Sequence, residues 1–226
     1  MKIAAIHLAK AMAFFEPIDL NPKGAVAFSD VVKGLVERYK FEKFPQKQEE
    51  MDQTKGIVFS SGRFNTMVID ALTIYLHGIT LDTRSSTEDS KRTLEEILQW
   101  AGKNLGLVYD PAMINRWQYA SQITFLSDFS LTDMHPAIRQ LADGVTKAVG
   151  EFASDKPKYE SIALVLDHDP FTRKHILGRF SIQRRENEPF SENKYFSDAP
   201  LPTDVHIRLL QQFEAGISNN KVTFVG

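Results

Sequence analysis

From Phe28 onward apolar residues return every three or four positions, at Val31, Val32, Leu35, Val36 and Tyr39, with Lys33, Glu37, Arg38 and Lys40 between them. That spacing predicts an amphipathic helix. Before it, the first twenty residues are apolar without a clear period and read as a strand, closed off by Pro17, Pro22 and Gly24. The stretch from Lys43 to Lys55 is rich in Lys, Gln and Glu and reads as a solvated connection. Strands are predicted at 56–61 and 66–76 around a Ser-Gly-Arg-Phe-Asn turn, and after His77-Gly78 at 79–83. The middle strand is apolar on both faces, as expected of a strand covered on both sides. Ser85 with Glu88 reads as a capping box for a helix carrying Leu94, Ile97, Leu98, Ala101 and Leu105.

The second half repeats this order. Residues 115–129 alternate, with Trp117, Tyr119, Ile123 and Phe125 on one face and Arg116, Gln118, Gln122 and Thr124 on a wet one. A helix follows, capped by Thr132 or Asp133, with Pro136 in its first turn and Ile138, Leu141, Val145, Val149 and Phe152 as its buried stripe. Strands are predicted at 160–166 and 175–185, the latter turning Arg179, Ser181, Gln183 and Arg185 to one side, and a short one at 194–197. The last helix carries Val205, Leu209, Leu210, Phe213 and Ile217.

Hairpins too short for parallel crossovers favour an α+β chain with a mostly antiparallel sheet backed by about four helices. The reading is of one domain over residues 1–226, with two similar strand-helix-strands-helix halves at 1–110 and 111–226. No residue-level repeat supports duplication.

Composition narrows the function classes. The 226 residues, 42% hydrophobic and 25% charged, are those of a globular chain. With 27 Lys+Arg against 29 Asp+Glu, no global basic field drives binding to nucleic acid or anionic lipid, so such binding would need a local patch. The absence of cysteine excludes disulfides, thiolate metal sites and cysteine nucleophiles. The apolar run 3–15 is interrupted by His7 and Lys10 and reads as core structure, which makes the cytoplasm the expected location and a membrane partner unexpected.

Three groups of residues offer chemistry. Asp167-His168-Asp169 at a strand end, with Arg173 nearby, carries carboxylate and imidazole ligands for a divalent metal that would activate a water. The same run is good turn chemistry, and alternation points Asp167 and His168 apart, so the turn is preferred. Arg84, Ser85 and Ser86 at a strand-to-helix junction suit an anion, but Asp82, Glu88 and Asp89 surround them and capping explains them better. Third, Arg116, Gln118, Gln122, Arg179, Gln183 and Arg185 would form a polar platform if their strands share a sheet face, although antiparallel sheets commonly leave one face to water. Asp70, among apolar neighbours, needs a partner such as Arg63 or an Arg of a neighbouring strand.

The leading expectation is therefore a non-catalytic binding or assembly protein without a cofactor, using an exposed polar sheet face or a sheet edge, with a protein partner or self-association. Two alternatives stand beside it. One is a metal-dependent phosphoester hydrolase centred on Asp167-His168-Asp169, with Arg173 or Arg179 stabilising developing charge. The other is a nucleic-acid binder using the Arg-bearing face.

Overall fold

The computed structural model describes residues 1–172 and 177–223, with side chains to residue 218. The element order is β1 (Lys2–Phe14), α1 (Phe28–Tyr39), β2 (Ile57–Phe64), β3 (Met67–Tyr75), β4 (Gly78–Thr83) and α2 (Thr87–Leu105). Then come β5 (Arg116–Leu126), α3 (Pro136–Gly150), β6 (Ala163–Leu166), β7 (Phe180–Arg184), β8 (Lys194–Ala199) and α4 (Thr203–Thr223), with short 3-10 turns between. The chain is α+β, with four α-helices and one eight-stranded antiparallel sheet among the described residues, ordered β2-β3-β4-β1-β5-β8-β7-β6. Each half therefore runs strand, helix, three strands, helix, and lays its strands down in the same relative order.

Compactness divides the chain into a larger unit of residues 6–121 and 200–203 and a smaller one of residues 1–5, 122–199 and 204–226. The division falls inside β5, between Ser121 and Gln122, and β1 and β5 each contribute to both units.

In the larger unit, α1 and α2 cover one sheet face. Val32, Leu35 and Tyr39 of α1 and Leu94, Ile97 and Leu98 of α2 bury against Ile57, Phe59, Leu72, Ile74, Ile79 and Leu81. Ala9, Ala11 and Ala13 of β1 are fully buried, small side chains that suit a central strand lying under helices. The β3–β4 turn closes on Gly78, where a Cβ would strike the carbonyl oxygen of Ala13. At the end of α2, Gly106 takes the left-handed conformation that glycine enters without steric cost (φ 76°).

Several local expectations change. The strand predicted to end at Ser61 continues to Phe64, and the turn is Asn65-Thr66, because Ser61 takes a positive φ and Phe64 packs on Tyr39. The 43–55 connection is partly built in: Lys43 and Ser60 bond main chain to main chain, and Phe44 and Met51 pack on the core. The N-cap of α2 is Ser86, whose hydroxyl accepts from Asp89 N at 3.0 Å, and Ser85 instead donates to the Asp89 carboxylate. Asp70 pairs with Arg84 (3.0 Å) rather than Arg63 and is one-third exposed.

In the smaller unit, the core is Phe125, Leu131, Ile182, Tyr195 and Leu210, with Ile3, Leu164, Phe180 and Phe213 against it. Helix α3 is capped by His135, which accepts from Ala137 N, rather than by Thr132 or Asp133, because those two belong to the preceding 3-10 turn. Leu141 (68% exposed) and Phe152 (80%) of its predicted stripe stand in solvent. The buried stripe of α4 runs through His206, Leu210 and Ile217, leaving Leu209 exposed. The predicted wet face of β5 is covered at Thr124. β6 starts at Ala163 rather than residue 160, and β7 is described from Phe180, while the predicted start at His175 lies outside the described residues.

Candidate functional site

An open structured surface lies at the end of the sheet. β6, Ala-Leu-Val-Leu, is the last strand in the order and pairs, among the described residues, with β7 alone, in the register Ala163–Gln183 to Leu166–Phe180. Arg184 N donates to Ile162 O (2.8 Å), so 162/184, and by alternation 164/182 and 166/180, are the hydrogen-bonded pairs. The N–H and C=O groups of Ala163 and Val165 therefore face away from the sheet. Ile162 (59%), Val165 (49%) and Leu166 (56%) are exposed there. The other edge, β2, is partly covered by its main-chain pairing with Glu42 and Lys43.

Asp167, His168 and Asp169 follow β6 directly. Asp167 accepts from Arg179 Nε (2.7 Å) and from His168 N (2.9 Å), and these two bonds hold its carboxyl below the usual carboxylate range. Asp169 accepts from Phe171 N (2.9 Å), and Thr172 N closes the turn on Asp169 O (3.2 Å). These are the bonds of turn chemistry. Among the described residues no three His, Asp or Glu side chains gather closely enough to hold a metal ion. Arg173 lies outside the described residues.

At the start of α2 the backbone amides are occupied. Asp89 N goes to Ser86, and Thr87 N goes to Thr203 Oγ1 (3.1 Å). Arg84 is held by Asp70, and the Asp89 carboxylate sits on Ser85, so carboxylates stand where an anion would approach.

The six platform residues are placed differently. Arg116 of the larger unit lays its guanidinium over the Phe14 ring (4.3 Å), and its Nε is buried without a partner among the described residues. Gln118 is half-buried beside it in sequence. In the smaller unit Gln122 hydrogen-bonds Asp198, whose carboxyl is pushed up by burial. Gln183 and Arg185 are exposed, with Arg185 near the Phe196 ring (5.9 Å), and Arg179 is taken by Asp167.

Two polar clusters in the smaller unit escaped the sequence reading. The guanidinium of Arg184 bonds Glu160 (2.5 Å), Ser130 Oγ (3.0 Å) and Phe190 O (2.8 Å), with the Phe190 and Tyr195 rings at 4.3 and 5.3 Å. Its signal was alternation, since Arg184 shares a face with Phe180 and Ile182. Ser197 Oγ donates to Ser181 O (2.7 Å) and so accepts from His206 Nε2 (2.7 Å), and the His206 ring meets Phe180 edge-on. Both side chains are fully buried, and burial pushes the imidazole down to about 4. Sealed in this way, the pair is an interior polar link with no route for a substrate.

Compared with known proteins, the chain matches no family model and no curated sequence, so its function has to be argued from this geometry and its fold class. No helix among the described residues is long and apolar enough to cross a membrane.

Proposed function

We propose that the protein is a non-catalytic binding or assembly component that works by offering the β6 edge to an extended segment of a protein partner. The supporting observation is the combination at Ala163–Leu166 of outward main-chain donors and acceptors with exposed apolar side chains. Main-chain hydrogen bonds supply affinity in such strand addition, and alternate side chains supply specificity. The polar sheet face supports the reading less, since Arg116, Gln122 and Arg179 already have partners within the chain.

The test is selection of linear decapeptides from a random display library, followed by hydrogen exchange on the complex. The expected result is peptides that slow exchange at the Ala163 and Val165 amides and lose binding to the Val165→Pro variant. Proline at 165 removes only an outward N–H, so the β7 ladder is kept. Selected peptides that protect other regions and bind the variant unchanged would overturn the reading. So would an edge that stays unprotected under every condition, self-association included.

A further inference from the structure

Resting on the reading of β6 as a docking edge, we propose that its occupant is a second copy of this chain, paired antiparallel through β6 about a two-fold axis at Leu164. The backbone permits this register, and the side chains select it. A two-fold at Leu164 sets Ala163 against Val165 of the other copy and Val165 against Ala163, and each is a hydrogen-bonded pair with two N–H···O bonds. Four bonds result, and they use every outward N–H and C=O of Ala163 and Val165 on both copies. A two-fold at Ala163 or Val165 would aim the same outward groups at the partner but would set Ser161 against Val165 or Asp167 against Ala163, so the side chains select Leu164.

The side chains fit the same register. Leu164 meets Leu164, Ile162 meets Leu166 and Ala163 meets Val165, so every facing pair is apolar.

The area is sufficient for a modest dimer. Tyr159 (44%), Ile162 (59%), Val165 (49%), Leu166 (56%) and Phe171 (96%) are the exposed large apolar residues on and beside the strand. At about 200 Å² for a whole large side chain they expose roughly 600 Å² per copy, near the lower bound of stable interfaces. The dimer is accordingly expected to dissociate in the micromolar range, about 1–100 µM.

Sedimentation velocity of the full chain over that range tests the proposal, together with a crosslink. The chain has no cysteine, so Leu164→Cys introduces a single thiol. Facing residues of a non-hydrogen-bonded pair lie within disulfide reach, whereas cysteine at 163 or 165 sits diagonal to its own copy, about 7–8 Å away and beyond easy disulfide reach. The expected results are a concentration-dependent dimer, a disulfide dimer at 164 formed at least tenfold faster than at 163 or 165, and at least tenfold weaker association for Val165→Pro and for Leu166→Lys. The lysine variant keeps the test valid should the proline variant fail to fold. A monomer at all concentrations overturns self-pairing, and so does a dimer indifferent to both substitutions or a crosslink without preference for 164. Peptides that still protect the Ala163 and Val165 amides in that case leave the edge reading standing, while loss of both results removes both.

Discussion

Thr87 and Thr203 satisfy each other: Thr87 N donates to Thr203 Oγ1 (3.1 Å) and Thr203 N donates to Thr87 Oγ1 (2.8 Å), with both residues buried. Each is the first residue of a helix, where the backbone N–H has no intrahelical acceptor. Valine at either position keeps the shape and leaves one buried N–H unpaired, which costs about 1–3 kcal/mol. Urea unfolding of Thr87→Val and Thr203→Val is expected to show that loss, and serine at either site most of the native stability.

The Arg184–Glu160 pair is a costly ionic contact to break. Its side chains are 5% and 12% exposed, and removal of one partner strands the other charge in the interior. Glu160→Ala is expected to lose about 3–5 kcal/mol in denaturant unfolding, while the paired change Glu160→Leu with Arg184→Met recovers most of it. Burial pushes the Glu160 carboxyl up, but Lys158, Ser130 and the Arg184 charge outweigh it and hold the group below its ordinary value. The stability this provides is present above the ordinary carboxylate range and is lost as pH falls through the lowered value.

His206 gives a second acid dependence, of distinct range. In the unfolded chain the imidazole takes its proton near pH 6.5, and in the fold near 4, because burial disfavours the charged ring. Between those values the unfolded state binds more protons, so stability falls as pH drops from 6.5 toward 4, by about 3 kcal/mol in all. His206→Phe is expected to flatten that slope in thermal melts taken from pH 4 to 7. It also costs about 1 kcal/mol at neutral pH, since Ser197 loses its donor.

These residues show where the sequence was readable. The stripe of α1 and the turn at Gly78 were plain because a helix and a hairpin are decided by neighbours. Alternation through Phe180 and Ile182 also pointed Arg184 inward, but a charge on an apolar face is recognised only once Glu160, some twenty residues away, is seen beside it. In α4 the predicted stripe holds at Leu210, Phe213 and Ile217 but included the exposed Leu209 and left out His206, whose ring the helix turns onto Phe180 and Ser197. Ala-Leu-Val-Leu reads as a buried strand, and its exposure follows from its being last in the sheet order. The same limit applied to the platform: Arg179 and Arg185 fall just outside β7, and Arg116, Gln122 and Arg179 are engaged by Phe14, Asp198 and Asp167, none of them a sequence neighbour.

The composition of the larger unit has a consequence for synthesis on the ribosome. Its strands and helices are all translated by Ser121, yet the unit also includes Pro200–Thr203, and Thr203 supplies the acceptor for the first amide of α2. The smaller unit in turn takes in Met1–Ala5, which emerge long before residues 122–199. The larger unit is complete only when about residue 203 has left the exit tunnel, and the smaller one, which takes in residues from 204 onward, later still. The nascent chain must therefore carry a long apolar β1 with only part of its final surroundings, a window in which chaperone contact and aggregation compete with folding.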